Sequence, residues 1–549
     1  MATDQQTFEG FGQVSKRVGV VFRYVLLAAT LVGLVALGIL LVFVTNDAIQ
    51  PLTADAGWHL TFFLTLVVPT LAVGGYLYSR NRDALKVGAG TLGLLVVSLM
   101  FSGGVAMIFV DLLSPILWFA YVLTLVAPVA VVVGIKRFTR DPPFLAELAA
   151  VTAAFYLAFL GIPGPIGWAL GLRQFVPSIA AFVAHFPVLP VDWVLLVATL
   201  GVGAALGVGR YAAGLRGRRA GWLAGVVTLV GIAAAAVAGP FVGVTSVPAV
   251  VLATVVGAPT AAYVGGVLVS RPERRIGLLF PVVVVGGALA GELLVDTLGF
   301  AGPQAWVDWQ FLTSAHSRNA VDAGLYPAIG GSILLMGVVV VLSFPIGVGA
   351  AVYLEEYAPD NRFTRFIDVN ISNLAGVPSV VYGLLGLGVF VTYLGQPTGT
   401  VLVGGATLSL LILPIVIISA REAIRSVPSE LRQASYGMGA TRWQTVRNVV
   451  LPRAFPGILT GTILALGRAI GETAPLLMIG AATVGFNLPT SFSSKVSAMP
   501  MQVYAWASLF ASQDFYTKAV PAGVVVLVSV LLAMNSVAIV LRNKYQSQQ

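Results

Sequence analysis

The chain contains no cysteine, which excludes disulfides, thiolate metal sites and cysteine nucleophiles. Histidine is almost as scarce. His59, His185 and His316 lie far apart, each at the expected outer end of an apolar run, so they read as loop or interfacial residues and no metal site is expected. Charge is sparse as well: Asp, Glu, Lys and Arg make up 10% of the 549 residues, against about 25% in a soluble domain. No GxxxxGK[ST] phosphate loop occurs, so the chain is not itself an ATPase. The first 19 residues are polar and lack a signal-peptide cleavage pattern, so the first apolar run is expected to remain as an anchor.

Apolar residues fill the space that charge leaves. They make up 58% of the sequence, in runs of roughly 20 residues, the length that crosses a bilayer as a helix. We read an all-α polytopic membrane protein with fourteen spans, near 20–45, 58–78, 87–108, 114–135, 147–168, 188–208, 221–239, 248–269, 276–298, 325–353, 372–394, 400–420, 456–482 and 520–541. With the N-terminus inside, 26 of the 31 Lys and Arg residues fall on the inner side. By the positive-inside rule, both termini are then cytoplasmic and the protein is multi-pass in the plasma membrane. The net charge of +9 is a topology signal and implies no nucleic-acid partner.

The character of the chain changes near residue 270. Residues 1–270 hold eight spans joined by short basic turns, with almost no intramembrane charge and no substrate motif. They read as a membrane extension of unassigned role. Residues 271–549 hold six spans and longer, more specific loops. Glu355, Glu356 and Asp360 make one inner loop acidic, and a solvated or partner-facing role is expected for it.

Residues 421–455 are too polar to cross a bilayer. Pro428 suits the first turn of a helix, Gly437 and Gly439 break that helix, and Thr441 with Gln444 has capping-box spacing for a second. Trp443, Val446, Val449 and Val450 form its expected apolar face, and Pro452 and Pro456 its expected end. The loop resembles the EAA loop of ABC-transporter permeases: Gln433-Ala434-Ser435, then Gly439, Val449 and Leu451-Pro452, keep that motif's spacing. Gln433 replaces the motif's Glu and Ser435 its second Ala, so a hydrogen bond replaces any salt bridge from position 433. The resemblance implies that Gln433, Ala434, Ser435 and Gly439 face a cytoplasmic ATPase, with Leu451 and Pro452 completing the coupling element.

Arg468 and Glu472 stand four residues apart in an expected membrane helix, on one face of it. A mid-membrane charge costs on the order of 2.5–3.5 kcal/mol, so both must face protein or an aqueous path. They form either a structural salt bridge or an anion site in which the arginine fork grips an oxyanion. Asn373 and Ser379, entering the membrane from inside, serve either a polar path or close helix packing.

GVGAAVYLEEYAPDNRFTRFIDVNISNLAGVPSVVYGLLGLGVF and LALGRAIGETAPLL are very similar to the PstA-type permease of phosphate ABC transporters, over about residues 276–549. That resemblance implies a six-span importer core with Arg468 and Glu472 on the phosphate path. It also implies a PstC-like second permease, two ATPase subunits and an external phosphate-binding protein. No cofactor is expected on this chain, since ATP and Mg would sit on the ATPase. The competing readings are a permease for another oxyanion, an ion-coupled secondary transporter, which leaves the docking loop unexplained, and an intramembrane enzyme, for which no catalytic constellation occurs.

Overall fold

The computed structural model describes residues 16–138, 144–161, 177–184, 192–510 and 512–546. His185 lies outside them. The described residues are helical, apart from turns, loops and one bridging pair, Thr400 and Lys495. We call the arginine-rich end inner and the opposite end outer.

The first half contains α1 (Lys16–Ile49), α2 (Ala56–Arg80), α3 (Arg82–Leu112), α4 (Pro115–Phe138), α5 (Phe144–Leu160), α6 (Asp192–Arg216), α7 (Arg218–Val242) and α8 (Ser246–Ser270). The second contains α9 (Pro272–Leu298), α10 (Tyr326–Tyr357), α11 (Arg362–Ala375), α12 (Ser379–Tyr393), α13 (Val401–Arg425), α14 (Ser429–Gly437), α15 (Arg442–Ile470), α16 (Met499–Ser508) and α17 (Phe515–Val540). Each of the fourteen expected spans overlaps a helix among the described residues, with 162–168 and 188–191 lying outside them. Eleven are long and apolar enough to cross a membrane by themselves, and the bent pair α11–α12 would be a twelfth. The apolar parts of α4 and α5 are shorter, at Pro115–Val131 and Ala149–Ala158.

Two expected spans need correction. The run at 372–394 is not one helix: α11 and α12 meet at 105°. Pro378 withholds an N–H and disfavours helical backbone at Val377, so the chain turns between Gly376 and Pro378. The run at 456–482 begins earlier and stops at Ile470. Pro452 and Pro456 do not end it. A π-turn at Val446–Val450 precedes them and shifts the hydrogen-bond register, and the helix runs on through both prolines.

α13 is the centre of the second half. Two-thirds of its apolar window (67%) is buried, against 33% for α15. α10, α12 and α15 pack around it, and α17 packs on α15. Leu335, Val339, Leu408, Ile412, Val416 and Leu476 fill the space between them. α9 behaves differently. Its extensive contacts are with α2, α3 and α8, through glycines that let backbones touch. A Cβ on Gly277 would lie 2.0 Å from the Ala84 carbonyl, and one on Gly287 2.3 Å from the Thr65 carbonyl.

The outer loop after α9 is bonded to the extension. Asp55 N–H donates to Ala301 O at 3.0 Å, and Trp306 N–H to Ala48 O at 2.8 Å. Ala301 N–H donates to Asp55 Oδ2 at 2.7 Å, and Gln304 N–H to Thr53 Oγ1 at 2.9 Å. The Tyr326 hydroxyl, at the outer end of α10, donates to Asp111 of α3.

His316 lies under this outer cap, buried among Phe486, Trp506, Phe510 and Phe515. The Trp506 indole N–H donates to its Nδ1 at 3.0 Å, which fixes the neutral ring with its proton on Nε2. Burial holds its pKa below the ordinary value of 6.5. The unfolded chain therefore takes up a proton at a pH where the folded one does not, and stability is full above that value and falls as pH drops below it. Melting curves of the purified protein should show Tm declining on acidification below about pH 6.5, and His316→Gln should flatten that part of the profile.

Candidate functional site

Arg468 sits in the last turn of α15. Gly471 ends the helix, with its N–H on the Arg468 carbonyl, and Glu472 follows in the turn before a short helix, Ala474–Met478. Glu472 is therefore not a helical neighbour, yet the turn still brings it to Arg468: Nε donates to Glu472 Oε1 at 3.3 Å. Glu472 is mostly enclosed, its side chain 16% exposed, while Arg468 is 48% exposed on the flank of the molecule. It lines a small crevice with Ser332, Leu408 and Leu476. Among the described hydrogen bonds the arginine uses only Nε, so both terminal amino groups are available to an oxyanion.

Two neighbours carried no signal in the sequence. The Tyr382 hydroxyl lies within electrostatic reach of Arg468 and donates to the Leu374 carbonyl at 2.7 Å, tying the C-terminal turn of α11 to α12. The Asn535 amide of α17 lies 3.8 Å from where a Cβ on Gly467 would stand. Asn373, exposed at the end of α11, and Ser379, half-buried at the start of α12, flank the bend. Neither hydrogen-bonds to Arg468 or Glu472 among the described residues.

The loop below has the expected two-helix form. Thr441 and Gln444 close the capping box in both directions, at 3.3 and 2.8 Å. Gly439 takes the left-handed conformation, φ 81°, which other residues adopt only at a cost. Gln433, Ala434, Gly439 and Pro452 are exposed, and Leu451 is half-buried in the packing beneath. Ser435 differs from expectation. It is buried and hydrogen-bonded to Thr445 Oγ1 at 2.8 Å, so it joins the two helices and offers no surface to a partner. Val446 and Val450 are buried as expected, but Trp443 points outward, and with Tyr436 and Met438 it forms an exposed apolar surface beside Gly439. The acidic residues of the preceding loop also differ from expectation. Glu355 and Glu356, on the π-turn that ends α10, are enclosed by arginines of this loop, while Asp360 stays exposed.

The sequence pattern described as "Binding-protein-dependent transport system inner membrane component" matches residues 343–544, which hold all of these features. The "Probable ABC transporter permease protein YqgI" of Bacillus subtilis is 36% identical over 210 residues, 37% of this chain and 69% of that protein. The "Phosphate transport system permease protein PstA" of Haemophilus influenzae is 34% identical over 239 residues, 43% of this chain and 82% of that one. The chain belongs to the binding-protein-dependent transport system inner-membrane components. Another relative, "Phosphate transport system permease protein PstA 1" of Mycobacterium tuberculosis, is 38% identical over 181 residues, 33% of this chain and 59% of that one. The permease pattern begins within α10, so α1–α9 and the outer loop lie outside it.

The exposed surface around Gly439 makes one residue of this permease a direct probe. Gly439→Val should strain the turn by about 1–2 kcal/mol and place a branched side chain beside Met438 and Trp443. On the expectation that this turn docks a cytoplasmic ATPase, that ATPase should fail to co-purify, while the variant itself still elutes as a folded membrane protein. Unchanged co-purification would remove this turn from the docking surface.

Proposed function

We propose that the chain is the PstA-type permease subunit of an ATP-driven phosphate importer. One observation carries the reading: Arg468, in the last turn of a membrane helix, holds Glu472 with Nε alone and leaves its two terminal amino groups open on a half-exposed flank. Two phosphate-transport permeases among the relatives supply the anion's identity. In this reading that flank faces a PstC-like second permease, and the anion path runs between the two. Two cytoplasmic ATPase subunits dock on the exposed surface of α14 and the Gly439 turn, and an external phosphate-binding protein delivers substrate to the outer loops. This chain binds no cofactor; ATP and Mg belong to the ATPase. Both termini are cytoplasmic.

The chemistry follows from the pair. Phosphate presents two oxygens to the Arg468 fork, a geometry that adds specificity to charge attraction. Glu472 stabilises the empty site and competes with the anion for the guanidinium, which favours release. Residues 1–270 form the extension and 271–549 the permease domain, with α9 lodged among the extension's helices.

The test is uptake of labelled phosphate into proteoliposomes that hold the full complex. ATP-dependent uptake that excess sulfate does not suppress supports the reading. Suppression by sulfate would assign a different oxyanion, and uptake driven by an ion gradient without ATP would assign a secondary transporter.

A further inference from the structure

Three arginines of the docking loop pair with carboxylates of other segments, Arg421 and Arg432 from enclosed positions and Arg425 from a half-exposed one. Arg421 Nε donates to Glu355 Oε1 at 2.8 Å, and its Nη1 and Nη2 grip the two Asp368 oxygens at 2.6 and 3.2 Å. Arg425 Nη2 reaches the same Glu355 oxygen at 2.8 Å. Arg432, on α14, donates through Nε to Glu356 Oε1 at 3.2 Å. Its Nη1 and Nη2 donate to the Val427 and Ile424 carbonyls, at 2.6 and 2.8 Å, where α13 ends. Glu355 and Glu356 are 14% and 6% exposed, so these pairs are not screened surface contacts.

The order of these contacts is informative. They run from α14 through Arg432 to the two adjacent glutamates ending α10, then through Arg421 to Asp368 on α11. α11 is not contiguous in sequence with the docking loop; α12 and α13 lie between them. Yet α11 leads into the 105° bend, and its last turn carries the exposed Asn373. A bidentate arginine–carboxylate pair fixes orientation as well as distance. A displacement of α14 thus has a polar, directional route to α11.

We propose that this ion-pair chain is a relay that moves α11, and with it the inner end of the α11–α12 bend, when a bound ATPase displaces α14. Asp368, Arg421, Glu355, Glu356 and Arg432 are its positioning residues. The proposal rests on the reading of α14 as the ATPase-facing element, and adds where that displacement goes.

The test uses the full complex in proteoliposomes, reading phosphate transported per ATP hydrolysed. Asp368→Asn should lower this ratio about tenfold, within the range by which network mutations change coupling, with the ATPase still bound and hydrolysing ATP. Asp368→Glu should restore most of it. If Asp368→Asn fails to assemble, Arg421→Lys takes its place, keeping the charge and losing the fork, with the same expected loss. The absence of native cysteine permits a second measurement. Spin labels on Val369→Cys (α11) and Leu52→Cys (outer loop) should report a distance that shifts on ATP trapping, and Asp368→Asn should abolish the shift. An unchanged ratio together with an unchanged shift would overturn the relay and leave the transport reading standing. Failure of the unmodified complex to transport on ATP would overturn both.

Discussion

Arg468→Ala should reduce ATP-driven phosphate uptake to background while the complex still assembles. The substitution removes the fork offered to the anion and leaves Glu472, enclosed with a side chain only 16% exposed, without its partner. Removing one partner of a buried pair costs about 3–5 kcal/mol. Because Arg468 is half-exposed, solvent screens the pair and the cost to the fold is smaller, so the loss expected is of uptake and not of assembly. Arg468→Lys separates charge from geometry. It keeps the cation and loses the planar pair of donors, so an intermediate loss is expected. Glu472→Gln should behave differently, weakening competition for Arg468 and slowing release more than binding. The measurements are initial uptake rate against phosphate concentration and complex yield by size exclusion. Normal uptake by Arg468→Ala would reduce the pair to a structural salt bridge.

Deleting residues 1–270 should abolish uptake by removing the packing partners of what remains. α9 would lose α2 and α3, baring the glycine face where Gly277 meets the Ala84 backbone. α17 would lose α1. The outer loop would lose its bonds to Ala48, Thr53 and Asp55, each contributing on the order of 1 kcal/mol. Little folded protein should accumulate, and supplying residues 1–270 as a separate chain should restore both protein and uptake. Full uptake by the truncated chain would make the extension dispensable.

Helical class was legible because long apolar runs carry their own signal; the count of fourteen was not, since among the described residues eleven helices, or twelve with the bent pair, are long and apolar enough to cross. The capping box at Thr441 was legible for the same reason, being local. What escaped depends on non-local or competing effects. The apolar run through 372–394 hides the bend, because Gly376, Val377 and Pro378 lower the average apolar character little while removing a helical N–H. The π-turn at Val446–Val450 let the helix pass two prolines that otherwise signal a stop. Ser435 looked like a partner-facing motif position, but its hydroxyl is used by Thr445, ten residues on. Glu355 looked solvated because its partner Arg421 is 66 residues away. At the candidate site, Arg468 and Glu472 stood out as charges in an apolar stretch, whereas Tyr382 is near Arg468, and Asn535 near Gly467, only because α12 and α17 fold back to α15.

The bonds that hold the outer loop and the head of α10 to the extension have a mechanical consequence. A body fastened at one end can turn only about that end, and the arc traced by any point grows with its distance from the fastening. The hydrogen-bonded fastening lies at Ala48 and Asp55, which hold the outer loop that leads into α10, and at Asp111, which holds the head of α10 itself; α17 packs beside α1 as well, and α14 lies at the opposite, inner end. On the proposed coupling the extension would serve as a hinge post, and the widest swing would fall at the arginine-rich inner end.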